Sequence, residues 1–209
     1  MQTRYLYYLT HINPKDYGMD FFDHTDIPAP EKGVLLISDP FLPDSNFERS
    51  VVLLCEHNAE GSLGFVLNKQ SNLLLSDMMA DFEEAENQVF IGGPVEQNTL
   101  HFIHKIPDLE GSICIQENLY WGGDFEHLKT LVSNQLVPAS DIRFFIGYSG
   151  WSEGQLQREI EANGWIVHNR VRSNLVFDSS PEELWKVALQ DMGGRFKMFS
   201  NYPADPRLN

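Results

Sequence analysis

The stretch "RFFIGYSGWSEGQLQREI", Arg143 to Ile160, joins an apolar run to an amphipathic one through small residues that carry a serine. A strand, a tight turn bearing serine and a helix are the setting of the hydrolase nucleophile elbow, so the first question is whether Ser149 is a nucleophile. The elbow needs G-x-S-x-G, because small residues on both sides let a strained turn expose the hydroxyl beside backbone donors. Here the order is Gly147, Tyr148, Ser149, Gly150, Trp151; the last glycine comes one position early and an indole takes its place. Ser152 and Gln155 offer another account. They match an S-x-x-Q capping box, in which the serine accepts from the amide of Gln155 and the glutamine reaches back. The segment therefore reads as a strand-to-helix junction, and the exposure of Ser149 decides whether it does more.

Working outward, "DIRFFIGY" before the junction is a strand, "GWIVHN" after it is a short strand, and "LVFD" reads as a further one. The last helix carries the fullest set of end signals. Ser180 is its cap, Pro181 lies in its first turn, Glu183 completes an S-x-x-E box, and Gly193 with Gly194 ends it. Toward the N-terminus, "GVLLIS" is a buried-type strand stopped by the prolines of "DPFLPD". "SVVLLCEH" and "SLGFVLN" flank "NAEG", which predicts a hairpin pairing residues 50–57 with 62–68. Leu74, Leu75, Met78, Met79 and Phe82 form the stripe of an amphipathic helix. "QVFIGGPV", "TLHFIHKI" and "GSICIQE" read as strands, and Asp124 caps a helix with Phe125, Leu128, Leu131 and Val132 on one face. Hairpin-linked strands with interspersed helices predict an α+β domain built on a mixed sheet. Residues 1–32, rich in turn formers, read as an N-terminal arm, 33–196 as the domain and 197–209 as a C-terminal tail. Met19 opens "MDFFDHTD" and offers a second start for translation.

The chain has 209 residues, 42% of them hydrophobic, with 15 Lys and Arg against 30 Asp and Glu, a formal charge of -15 and a pI near 4.7. Nucleic-acid affinity comes from cations that displace counterions, so this balance argues against direct DNA or RNA binding and against anionic membrane surfaces. Two cysteines, Cys55 and Cys114, each inside an apolar run, make no disulfide framework and no paired metal motif. With no signal-peptide core and no window of membrane-spanning length, the expectation is a cytoplasmic protein.

Several ordered segments carry a family resemblance. "GVLLISDPFLPDSNFERSVVLLCEHNAEGSLGFVLNK", "IGGPVEQNTLHFIH", "GYSGWSEGQLQREI" and "GWIV" resemble the AlgH/YqgE family of bacterial proteins, in the form of its Bacteroidetes-like branch, from about Gly33 to Phe196. The resemblance implies a bifurcated, partly barrel-like mixed sheet with flanking helices. It implies little about activity, because the family's transcriptional-regulator label stems from a genetic link to alginate production in one member. Two positions depart from the family pattern. Gln70 follows Asn68 and Lys69 where proline is usual, and no arginine stands near Thr99, which removes a ligand from any anion site there.

The candidate chemistry is short. Many members of the family have cysteine at the position of Cys55, a candidate reactive thiol, but on a strand it shares its face with Val51 and Leu53 and reads as an inert core thiol. His101 and His104 lie three apart on a strand, face opposite sides and do not chelate one ion, and His57 has no assigned neighbour; no metal, cofactor or catalytic residue is expected. The glycine turns "IGGPV" and "GYSGW" bring backbone amides within reach of a ligand. They nominate a groove formed by Asn68, Lys69, Gly92, Gly93, Pro94, Gly147, Ser149, Gly150 and Trp151. The expected function is non-enzymatic binding of a small molecule or a protein partner, with a regulatory consequence. The alternatives are a thiol-dependent redox or hydrolytic enzyme using Cys55 or Ser149, and a regulator acting directly on DNA.

Overall fold

The computed structural model describes residues 28–82, 85–169, 171 and 173–202. Its strands are β1 (Leu35–Ser38), β2 (Val51–Asn58), β3 (Gly61–Val66), β4 (Gln70–Leu74), β5 (Gln88–Ile91), β6 (Val95–His104), β7 (Ile113–Gln116), β8 (Leu119–Trp121), β9 (Ile142–Ser152) and β10 (Trp165–His168). The helices are α1 (Leu75–Met78), α2 (Phe125–Ser133), α3 (Gln155–Glu161), α4 (Ser173–Phe177), α5 (Pro181–Met192) and α6 (Phe196–Phe199).

All the strands join one sheet in the order β10-β1-β2-β3-β9-β6-β8-β7, with β5 also paired to β9 and β4 to β5. The path is open at β10 and β7 rather than closed into a barrel. Among the described residues only the β5–β9 pair is parallel; every other pair is antiparallel.

The opening stretch is the centre of this sheet. β9 does not stop at Tyr148; it runs on through the "GYSGW" segment to Ser152. Along one edge it pairs with β6, from Ile142 opposite His104 to Tyr148 opposite Val95. Along the other it changes partner: Phe144, Phe145 and Ile146 pair with β5, and Ser149 to Ser152 pair with β3. The sheet forks where β5 leaves and β3 arrives, which is the bifurcation that the family resemblance implies.

Both faces of the sheet are covered, which is why its strands read as nearly unbroken apolar runs. Successive side chains point to opposite faces. Leu35, Ile37, Val51, Leu53, Cys55 and Phe145 face α4, α5 and α6. Val34, Leu36, Val52, Leu54 and Trp151 face α3, while Phe144, Val89 and Phe102 pack with α1 and α2. The helical segment past Phe196 continues this packing, with Phe199 buried in the first of these clusters.

The hairpin and the Asp124 cap form as the sequence predicts; Asp124 Oδ1 accepts from His127 N at 2.9 Å. Four local readings are corrected. Leu175 to Phe177 of "LVFD" belong to α4, not to a strand; all three are buried, and a run that apolar has no usable period. The stripe from Leu74 to Phe82 gives strand β4, one turn of α1 and a 3-10 turn over Ala80–Phe82 rather than one helix. Ser152 ends β9 instead of capping α3; the cap is Gly154 with a φ of 63°, and only the reverse half of the box forms, Gln155 Oε1 accepting from Ser152 N at 3.1 Å. Ser180 is the N-cap of α5, but its hydroxyl donates to Glu182 rather than accepting from the helix.

The N-terminal arm, but for residues 28–32, and the tail beyond Tyr202 lie outside the described residues, as does the choice between Met1 and Met19.

Candidate functional site

The residues nominated from sequence separate into two places. Gly92, Gly93, Gly147 and Ser149 come together at the fork, but as packed backbone rather than as a groove. A Cβ at Gly92 would lie 2.3 Å from the carbonyl oxygen of Gly147, and one at Gly93 would lie 2.2 Å from the Tyr148 carbonyl. Gly147 has a φ of 66°, a left-handed conformation that glycine adopts without penalty, and it marks the point where β9 changes partner. Gly92 N donates to Ile146 O at 2.9 Å, and the Gly92 carbonyl accepts from Val66 N at 2.8 Å and from Ser149 Oγ at 3.0 Å. Ser149 is fully buried and its hydroxyl ties β9 to the departing end of β5. It is not an exposed nucleophile, and it is not available to a ligand.

Trp151 is buried too. Its indole N–H and that of Trp165 both donate to Glu159 Oε2, at 2.9 and 2.8 Å, so one carboxylate on α3 anchors both rings. Pro94 and Gly150 are exposed beside this junction.

Cys55 is 1% exposed, its thiol aimed at the Leu53 carbonyl, and burial pushes its pKa far above the usual thiol value. A reactive thiol needs the opposite conditions, a stabilised thiolate and access to solvent. Cys114, on edge strand β7, is exposed. The two histidines of β6 are likewise divided between faces. His101 packs against Phe65 and Tyr148, and His104 stacks on Tyr120. His104 Nδ1 accepts from Ile106 N at 3.1 Å, which leaves Nε2 to donate to the Gly122 carbonyl at 2.8 Å; both ring nitrogens serve the backbone. Burial lowers the pKa of both histidines. Among the described residues no group of three His, Cys, Asp or Glu side chains is placed to hold a metal ion.

Asn68 and Lys69 lie elsewhere, on the wall of a cleft of about 550 Å³. Four segments build it: Glu48 and Arg49, Asn68 and Lys69, the first turns of α5 from Pro181 to Lys186, and Ser200 to Tyr202 after α6. Arg49 has a φ of 47°, a conformation that costs a non-glycine residue about 1 kcal/mol or more. Asn68 holds it there: its Nδ2 donates to Arg49 O at 2.8 Å, and its Oδ1 accepts from Val51 N at 2.9 Å. The Arg49 guanidinium lies over the Trp185 ring, 4.6 Å from its centroid, and donates to the Tyr202 carbonyl at 2.5 Å. Lys69 Nζ donates to Ser45 O and Asn46 O at 3.1 and 2.6 Å. Burial lowers its pKa, against the opposing pull of Glu48 and Asp44.

Sequence reading found Asn68 and Lys69 but placed them with the glycines. It missed Arg49, Trp185 and Tyr202. No local signal marks these residues; they meet because β1, β2 and α5 pack together, and Trp185 Nε1 donates to Ser38 O at 3.0 Å across that contact.

A forked, open α+β sheet covered on both faces, with a polar cleft between the entry of β2 and α5, defines the architectural class. Within that class the assignment is direct: the family model described as AlgH-like matches residues 35–197, and the chain belongs to that family. It is 48% identical over 180 residues to a UPF0301 protein of Cytophaga hutchinsonii, covering 85% of this chain and 98% of that one. A UPF0301 protein of Parabacteroides distasonis is 41% identical over 189 residues, covering 89% and 94% of the two chains. Two solved structures share the fold. One is a Corynebacterium diphtheriae protein, with a TM-score of 0.70, 23% identity and coverage of 87% and 97%. The other is the AlgH protein of Pseudomonas aeruginosa, with a TM-score of 0.66, 24% identity and coverage of 86% and 98%.

Proposed function

We propose that this AlgH-like protein is a non-enzymatic cytoplasmic binding protein with a regulatory role, and that it takes its small-molecule or protein partner in the cleft beside Asn68 and Lys69. The observation that carries the reading is the cleft itself: a concavity of ligand size whose walls include a strained arginine held in place by Asn68. Backbone strain at a concave site is a recurring mark of function. What weighs against the enzyme alternative is that Ser149 and Cys55, the residues that would carry it, are both buried and hydrogen-bonded. The acidic charge of the chain weighs against direct action on DNA.

A melting screen against a metabolite library, run beside a pull-down from cell extract, tests the reading. A hit that Tyr202→Ala or Lys186→Gln weakens supports it, and hits insensitive to both substitutions sink it. Thiol and serine labelling test the alternative. The folded protein is expected to react with a maleimide at Cys114 and not at Cys55, and to leave a fluorophosphonate probe unused; labelling of Cys55 or Ser149 would restore the enzyme reading. Salt-dependent gel-shift binding to duplex DNA would restore direct regulation.

A further inference from the structure

The cleft carries charges of both signs in equal number, and most are already engaged. Arg49 and Lys69 donate to the main-chain carbonyls of Tyr202, Ser45 and Asn46. Glu182 accepts from the Ser180 hydroxyl, and Glu183 faces Lys186 at 3.8 Å. Such a lining pulls strongly on neither a cation nor an anion. It suits an occupant of zero net charge that needs little energy from each contact, which is the situation of a segment tethered beside it.

The chain supplies such a segment from the cleft wall itself. Tyr202 lines the cleft and is the last described residue. Its amide donates to the Phe199 carbonyl at 3.0 Å, its ring packs on Phe41 and Phe199 with centroids 5.4 and 5.8 Å away, and its carbonyl accepts from the Arg49 guanidinium. The bond to that carbonyl fixes where the next residue starts, so Pro203 leaves from the wall of the cleft. Arg49 makes the bond from its left-handed conformation, and backbone strain is therefore maintained at the root of the C-terminal segment. Residues 203–209 read Pro-Ala-Asp-Pro-Arg-Leu-Asn; one acid and one base cancel, in a chain whose formal charge is -15. The prolines restrict the backbone, which lowers the entropy lost on docking. Seven residues reach about 23 Å, enough to turn back over a cleft of about 550 Å³. A tether this short gives an effective concentration on the order of 1 mM, so an affinity of about 0.1 mM keeps the cleft roughly nine-tenths filled.

We propose that residues 203–209 of this chain are the resident occupant of the cleft, lying back across it from Tyr202, and that an outside ligand or partner binds by displacing them. This rests on the cleft being the binding site, and it adds the step that controls access to it.

The test is fluorescence anisotropy with a labelled peptide of the sequence PADPRLN, added to the native chain and to a chain of the same length in which glycine and serine replace residues 203–209. The glycine-serine chain is expected to bind the peptide with a Kd of about 0.1 mM, and the native chain about tenfold more weakly because its own segment competes. Lys186→Gln in the glycine-serine chain should weaken binding at least threefold, whereas Lys129→Gln, on α2 and outside the cleft lining, should leave it unchanged. No binding to the glycine-serine chain, equal binding to the two chains, or binding indifferent to Lys186→Gln would each overturn the proposal. The metabolite screen separates this from the underlying reading. A hit lost in Tyr202→Ala keeps the cleft as the binding site; if it binds the glycine-serine chain about tenfold more tightly than the native one the resident segment stands, and if it binds both alike only the resident segment falls. Peptide binding in the cleft with no outside ligand found there would instead retain the segment and remove the reading of the cleft as a site for a partner.

Discussion

The fork and the cleft carry the sequence features that drew attention to this chain, and they are built on opposite physical terms. At the fork, backbones approach so closely that glycine is required, the Gly92 carbonyl accepts from both Val66 N and the Ser149 hydroxyl, and Ser149 is sealed from water. At the cleft, polar and charged side chains remain near solvent, Arg49 is held in a costly conformation, and the walls come from four separate segments. The fork gains stability from density. The cleft gives up some density and keeps a surface that can bind. A motif of small residues around a serine is therefore weak evidence for chemistry when the same residues are needed to let strands cross.

The contrast can be broken or sharpened by substitution. The largest effect is expected at the fork. Gly92→Ala places a methyl group against the Gly147 carbonyl and the Phe65 ring, and backbone there has no room to yield. It should cost more than about 3 kcal/mol or prevent folding, measured by urea denaturation. A loss below about 1 kcal/mol would mean that the fork is looser than its geometry indicates.

The next effect belongs to the loop that leads into the cleft, and it depends on pH. Burial raises the Asp39 carboxyl from 3.8 to about 6, although its bond from the Phe41 amide opposes the shift. The folded state holds this proton more tightly than the unfolded state, so the group's contribution to stability is fully present below pH 3.8 and is lost as pH rises through about 6. Asp39→Asn should stabilise the protein at pH 8, by on the order of 2 kcal/mol, and flatten the dependence between pH 4 and 6. A steeper slope in the variant would reverse the assignment.

Ser149→Ala sharpens the contrast directly. Loss of the hydroxyl leaves the Gly92 carbonyl with Val66 N as its remaining partner and should cost about 1 kcal/mol in melting or denaturant experiments. Any ligand or peptide bound in the cleft should be unaffected, and a binding defect in the folded variant would return Ser149 to the functional site. The smallest effect is expected at Ser50, whose buried hydroxyl has no partner among the described residues. Ser50→Ala should be neutral or stabilise by up to about 1 kcal/mol. A clear loss would point to a bond from that hydroxyl to an ordered water.

Much of the local structure is legible in the chain because it is set by neighbours in sequence. The β2–β3 hairpin follows from the linker between two apolar runs, the start of α2 from Asp124, and the end of α5 from Gly193, whose φ is 69°. Cys55 shares the core of Val51 and Leu53 as strand alternation requires. The stripe around Leu74 misled because β4 and α1 meet end to end there, and Leu73, Leu74 and Met78 stay partly exposed. The Gln88 side chain bonds the Ser71 and Leu73 carbonyls across from β5, a contact between distant residues that periodicity does not register.

Residue order and side-chain polarity are enough to give the family, the α+β class and the apolar runs that become the buried strands. Only the tertiary structure decided that "GYSGW" continues β9 through a fork instead of turning into a helix, because a strand's extent depends on the partners that pair with it. It also decided that Asn68 and Lys69 belong with Arg49, Trp185 and Tyr202. The bond between Arg49 and Tyr202 spans 153 positions, and no local pattern encodes a contact made by the packing of elements that far apart.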